Sequence, residues 1–382
     1  MKKHSLLVVL MAALAITGCV VADHTSEMEG FTGTNVEVGD NGAQKGLKML
    51  VLNEGPFMGL STLDLLDLSN KKFYADVFGQ ANPEVEQGLG STGNDIEITA
   101  GRIWLAMNAS NMILGLNQHT FRLEVEIEME SPRSIISDDD YLYVSSYGSA
   151  MYGSDHPVKG LVHRINLKNP AEYTSLDVGY QPEGMAILDG QLYVANSGGY
   201  NAKKDNTVTV INTKDFKKTQ VLELPVSNLN MMRKAHNELW VSTYSTWDAS
   251  YAITAPSALA VFTKDGNASV IDGVHADKIT ECDGIIYAVG NNEEMSYGSD
   301  YCLYKVDAAT RKVTTTHFKG TDLERISYPY CIIVNPLTGD IIIADAKDFT
   351  KDSELHCFTK DLKHKWTVTT GVGTGHLLIY QI

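Results

Sequence analysis

Six segments of this chain align without gaps: "GRIWLAMN" (101–108), "DYLYVSSY" (140–147), "GQLYVANS" (190–197), "NELWVSTY" (237–244), "GIIYAVGN" (284–291) and "GDIIIADA" (339–346). A seventh, "KMLVLNEG" (48–55), matches them but lacks the strand-like segment that precedes the others. Repeats spaced by roughly 40 to 55 residues constrain the fold more than any other feature, because that length suits one four-stranded blade that needs neighbours to bury its faces. In each unit an apolar strand such as "GMAILD" leads through a tight turn into the aligned segment. A variable loop, an alternating strand such as "NTVTVINT" and a last strand such as "KKTQVLELP" follow. No segment carries a convincing helical period. The chain therefore reads as all-β: a seven-bladed β-propeller of four-stranded blades over 47–382, with "GTGHLLIY" (373–380) supplying the inner strand that the first blade lacks. That closure removes the free sheet edges.

The N-terminus stands outside this pattern. "MKKHSLLVVLMAALAITGC" has a basic start, an apolar run over 6–16 and then Gly18-Cys19. It reads as a signal peptide, 1–18, too short to span a membrane. Its ending resembles the lipobox of bacterial lipoproteins, which implies cleavage before Cys19 and lipidation of that cysteine. Residues 20–46 are polar and acidic without strong periodicity, so 19–46 are expected to be the lipidated Cys and a flexible tether. Asp23, Glu27 and Glu29, shortly after Cys19, resemble the surface-export signal of Bacteroidetes lipoproteins. The expected location is thus the outer membrane, lipid-anchored and facing the cell exterior.

The full chain has a formal net charge of −16, and cleavage would remove Lys2 and Lys3 and leave it more acidic still. Such a body argues against nucleic acid as a partner. Cys282, Cys302, Cys331 and Cys357 show no CxxC spacing and no nearby His pair, so no metal site is expected; buried thiols on strands are, with a disulfide as the alternative.

Strand reversal assigns the two faces of the ring. Short turns such as "LDGQ" fall on one face, while the long loops after each aligned segment share the other with the crossovers between blades. Long loops gathered on one face of a rigid scaffold are where function is expected. The loops offer Tyr147, Tyr152, Tyr200, Asn201, Tyr244, Trp247, Tyr251, Asn291 and Tyr297. The crossovers offer Asn94, Arg133, Gln181, Glu183, Asn230, Tyr328 and His376, expected to point toward a central funnel.

"VLNEGPFMG", "LAMNASNMILGLNQHTFRL" followed by "SPRSI", and "LYVANSGGYNAKKDNTVTVINT" resemble the YncE-like seven-bladed propeller lipoproteins of Bacteroidetes, over nearly the whole mature chain. Within that group the resemblance extends to the BtuG-type surface lipoproteins. It implies that the protein captures cobalamin (vitamin B12) as a transported ligand and passes it to a TonB-dependent outer-membrane transporter, with no cofactor of its own. The loop residues suit such a ligand, since an amide-fringed corrin with a nucleotide tail needs flat aromatic surface ringed by hydrogen-bonding groups.

Other motifs carry less. "GLGSTG" (88–93) matches GxGxxG but leads into "NDIEITAG", a strand, so the helix N-terminus that binds pyrophosphate is missing and the glycines are assigned to a blade crossover. "SDDDY" (137–141) sits in a short turn where adjacent carboxylates face water. No HExxH, GxSxG or P-loop occurs, and the chain is not expected to be an enzyme. A surface binder of a glycan or another nutrient remains an alternative, as does a propeller lactonase or lyase.

Overall fold

Each aligned segment forms the second strand of an antiparallel sheet, and it reads as an unbroken apolar run because it is covered on both faces by neighbouring blades. Leu142, Tyr143 and Val144 of Tyr141–Ser146, and Leu239, Trp240 and Val241 of Glu238–Thr243, are all fully buried. The computed structural model describes residues 28–39, 45–57, 59–150, 157–248, 250, 252–291 and 300–381. Among them seven antiparallel sheets form the blades of a β-propeller, with strands a to d running outward from the axis. The inner strands are Thr374–Gln381, Gly93–Thr99, Pro132–Ser137, Pro182–Leu188, Leu229–Ala235, Lys278–Cys282 and Pro329–Val334 for blades 1 to 7. Each packs against the next, and the last meets blade 2 through Thr374–Gln381, so the ring closes.

Closure occurs at the expected strand. Thr374–Gln381 lies antiparallel to Leu47–Asn53, in register from Leu47 opposite Gln381 to Leu52 opposite His376. Three of the inner turns are two-residue connections with both residues at positive φ: Ala100-Gly101, Asp189-Gly190 and Asp283-Gly284. That geometry matches strand twist and requires glycine or a tolerant residue at each place. Outer strands alternate instead, as in Leu123–Glu128 with Glu124, Glu126 and Glu128 outermost.

The apolar core is divided. Seven clusters of buried side chains each fill the gap between two adjacent blades, for example Trp104, Ala106, Leu142 and Val144 between blades 2 and 3. Each blade is thus stabilised only by its neighbours, as a repeat architecture requires. Two short helical turns, Val77–Ala81 and Asp322–Arg325, lie in crossovers and are too brief for a helical period to be visible. The four cysteines among the described residues are free and lie on strands.

One boundary differs from expectation. Residues 28–39, assigned to the tether, are packed on the propeller: Thr34–Asn35 pairs with Lys72–Tyr74 as a fifth strand of blade 1, and Val38 is fully buried. Phe31 sets its ring edge against Phe121 at 5.6 Å. A polar sequence hid this because four scattered residues, Met28, Phe31, Val36 and Val38, supply the apolar contacts.

Candidate functional site

The inner strands all begin at the same end of the central channel, so the side chains at their second positions meet there: Asn94, Arg133, Glu183, Asn230 and Tyr330, with Lys278 opening its own strand. Strand b runs the other way and ends at the same level. This sets Glu54, Tyr147 and Tyr244, the residues directly after Leu47–Asn53, Tyr141–Ser146 and Glu238–Thr243, against that ring. The collar rims an axial cavity of about 660 Å³. In blade 1 the corresponding position is Gly375, where a Cβ would stand 2.6 Å from Glu54 Oε1 and 3.2 Å from Tyr330 Cε1. Glycine there leaves the space into which the Glu54 carboxylate folds.

One half of the collar is a closed network. Arg133 donates to both carboxylate oxygens of Glu183, at 3.1 and 3.0 Å, and to Asn94 Oδ1 at 2.6 Å. Its guanidinium lies over the Tyr147 ring at 4.8 Å, and the Tyr147 hydroxyl donates to Glu183 Oε1. A planar fork on a carboxylate is the geometry that best offsets the cost of burying both charges.

The opposite half is open. Lys278 stands over the rings of Tyr330 at 4.9 Å and Tyr244 at 5.5 Å, with the Asp277 carboxylate at 3.5 Å. Among the described residues its ammonium makes no hydrogen bond. Burial works against the cation, but the charges of Asp277, Tyr244 and Glu54 outweigh it and hold the Lys278 pKa above its ordinary value. Tyr330 donates its hydroxyl to Glu54 Oε1 at 2.8 Å. Burial pushes the Glu54 carboxyl up, against that hydrogen bond and the Lys278 charge, while burial pushes the Tyr244 hydroxyl up to about 12.

Deeper in the channel the groups titrate differently. Burial raises the Glu97 carboxyl to about 7 even though Ser137 donates to it at 2.8 Å. Burial also lowers the His376 imidazole to about 4, despite Asp95 at 3.8 Å, so the ring is neutral at pH 7. Arg233 donates to the Met232 carbonyl at 2.8 Å, and burial lowers its pKa against the opposing charges of Asp95 and Glu97.

Of the residues singled out from sequence, Asn94, Arg133, Glu183, Asn230, Tyr244 and His376 line the axial cavity. Asn230 is also a tie between blades 5 and 6, donating to the Asp277 carbonyl at 2.7 Å. Tyr147 stands directly behind Arg133, and Tyr200, 40% exposed, rests edge-on against Tyr147 at 5.2 Å. Tyr328 packs with Tyr330 and Phe349, so it supports the wall from outside the cavity. Gln181 is buried in a positive-φ turn, and its carbonyl accepts from Ser197. Trp247, 37% exposed, sits on a small hairpin with Ile253–Ala255 and does not line the cavity. Asn291 closes strand b of blade 6, away from the cavity lining.

Asn201 stands apart from this set. Its loop folds back on itself, with the Asp205 amide donating to the Ser197 carbonyl at 2.9 Å, and carries Asn201 to a separate cavity of about 730 Å³ beside Tyr180, Lys204 and Lys218. That cavity lacks the paired buried charges of the axial one, so the axial cavity is taken as the candidate site. Cys19, Tyr152, Tyr251 and Tyr297 lie outside the described residues.

Sequence reasoning missed Glu54, Lys278 and Tyr330 in the collar, and Glu97 and Arg233 below it. A signal was present: aligning the inner strands as well as the second strands places Lys278 and Tyr330 level with Arg133 and Glu183. Glu54 gave a weaker signal, since the ungapped alignment sets it one position before Tyr147 and Tyr244 and only the observed end of Leu47–Asn53 brings it level with them.

No protein-family profile matches the chain, and no curated protein matches it. Solved structures do. A putative 6-phosphogluconolactonase from Bacteroides fragilis is 10% identical with a TM-score of 0.60, over 90% of this chain and 100% of that one. A quinonprotein alcohol dehydrogenase-like protein from Bacteroides thetaiotaomicron is 14% identical with a TM-score of 0.56, over 89% and 79%. Apo AztD from Citrobacter koseri is 9% identical with a TM-score of 0.52, over 87% and 98%. At these identities the likeness is one of fold, and the varied names attached to it show why function must be argued from the site. The chain is a seven-bladed β-propeller whose structural neighbours include propeller-type proteins of Bacteroides.

Proposed function

We propose that the protein is an outer-membrane lipoprotein that captures cobalamin at the axial collar, without transforming it, and delivers it to a TonB-dependent transporter. The reading rests on the resemblance of its repeats to the BtuG-type lipoproteins. The observation that supports it is the asymmetry of the collar. Lys278, framed by Tyr244 and Tyr330, is paired with the Asp277 carboxylate at 3.5 Å and makes no hydrogen bond among the described residues, which leaves donors for a ligand. Cobalamin carries one anionic phosphodiester in its nucleotide tail, and a half-buried ammonium between aromatic faces suits that group. A cavity of about 660 Å³ admits the tail but not the corrin. The corrin would then lie on the rim, where Tyr200 and Trp247 present partly exposed rings. Binding rather than catalysis also fits the closed half of the collar, where Arg133, Glu183, Asn94 and Tyr147 satisfy one another.

Calorimetric titration with cyanocobalamin tests the ligand, with one saturable site per chain expected; absence of binding, or preference for an oligosaccharide, overturns the reading. Anchoring is tested separately. Cys19→Ala is expected to abolish incorporation of radioactive palmitate, and a labelled variant would remove the lipoprotein assignment.

A further inference from the structure

The outer hairpin of blade 6 brings together three side chains that sequence spacing does not associate. Its strands are Tyr301–Asp307 and Val313–His317, and their register sets Cys302 directly opposite His317. Asp300 precedes Cys302 by two positions, which puts both on the same side of the extended chain. His317 Nδ1 lies 2.9 Å from Asp300 Oδ2 and 3.5 Å from Cys302 Sγ. One ligand atom from each of the three falls within 4.8 Å of the others.

Two readings compete. In the first the group is an Asp–His hydrogen bond packed against a buried thiol. In the second it is a set of soft and hard donors arranged for a divalent ion. Two observations favour the second. The other carboxylate oxygen, Asp300 Oδ1, is buried without a hydrogen-bond partner among the described residues. Such an orphan is costly, and a water held by an ion on Oδ2 could donate to it. Two of the three ligand spacings also fit, and the third, Cys302 to Asp300, lies within 4.8 Å and has to close as the ion binds. Tetrahedral zinc with its usual bond lengths sets sulfur and nitrogen about 3.6 Å apart and nitrogen and oxygen about 3.4 Å apart. The Cys302–His317 separation of 3.5 Å already matches, and the His317–Asp300 pair needs to open by only a few tenths of an ångström.

We propose that Asp300, Cys302 and His317 form a zinc-binding site, with one N, one S and one O ligand from the protein and water in the fourth position. The Cys302 thiol gives its proton to solvent as the sulfur–zinc bond forms, and the ion replaces the His317–Asp300 hydrogen bond. His317 is 54% exposed while Cys302 is 1% exposed, so the ion reaches the site from the imidazole side and the sulfur closes it from within. The proposal is independent of the axial collar and of the cobalamin reading.

The test uses the full chain, stripped with chelator and titrated with zinc chloride by calorimetry and with cobalt chloride by absorption. One ion per chain is expected, with the near-ultraviolet charge-transfer band of a cobalt–thiolate bond and the visible bands of a tetrahedral ion. Cys302→Ser is expected to lose the charge-transfer band, while Cys282→Ser keeps it. Asp300→Asn leaves the buried thiol untouched and guards against a folding failure. It is expected to weaken zinc at least tenfold and to erase the rise in melting temperature that zinc gives the wild type. Equal zinc affinity in the wild type and Asp300→Asn, or a cobalt spectrum without the thiolate band, overturns the proposal.

Discussion

The two halves of the axial collar use the same kinds of residue to opposite ends. On one side Arg133 spends its donors on Glu183 and Asn94, and Tyr147 completes the carboxylate. On the other, Lys278 is held by aromatic faces and a carboxylate at 3.5 Å, with its hydrogen-bonding capacity unspent. A saturated buried pair fixes the geometry of the ring; an unsaturated cation beside it is available to a ligand. The difference lies not in charge but in how many partners each cation finds inside the protein.

Breaking the closed half should cost the most. Arg133→Ala leaves Glu183, with only 6% of its side chain exposed, as an uncompensated buried carboxylate. The expected loss is about 3–5 kcal/mol of stability. Urea denaturation measures it, and a loss below about 1 kcal/mol would mean that the pair is not structural.

The layer beneath sharpens the contrast, because there a carboxyl lacks an adequate partner. Folded Glu97 keeps its proton up to about pH 7, whereas the unfolded chain releases it near its ordinary value of 4.5. The folded state therefore binds the extra proton inside that window, and stability falls as pH rises through it. The ceiling on this loss is ~3 kcal/mol. Glu97→Gln should remove the slope, so its stability relative to the wild type should be higher at pH 8 than at pH 5. An identical difference at both values would contradict the raised pKa.

The rim should matter least. Trp247 lies outside the cavity lining, so Trp247→Ala is expected to weaken cyanocobalamin by less than about fivefold, or ~1 kcal/mol. Asp139→Ala, in the turn at the opposite face, should leave affinity unchanged. A loss of thirtyfold or more at Trp247 would move the main contact from the axis to the hairpin.

Seven blades and their closure were legible because the aligned segments share one physical demand, burial on both faces, which writes the same apolar run seven times. The site was legible only in part. Arg133, Glu183 and Asn94 emerged from the crossovers, since charge at the head of an inner strand has no place to go but the channel. Lys278 and Tyr330 share that register but were hidden because "KITEC" starts one residue later on its strand and "PYCIIV" reads as a plain apolar run. Glu54 reaches the collar only because Gly375 has no side chain, a relation between residues at opposite ends of the chain. Cys302 and His317 became neighbours through strand register alone.

The central claim is that the open half of the collar receives the anionic tail of the ligand. Its most direct test is calorimetric titration of the wild type and Lys278→Met with cyanocobalamin and with cobinamide, the corrinoid that lacks the phosphodiester. The account predicts a loss of about thirtyfold, or ~2 kcal/mol, for cyanocobalamin in the variant, and no change for cobinamide. Equal cyanocobalamin affinities in the two proteins, or the same loss for both corrinoids, would contradict it.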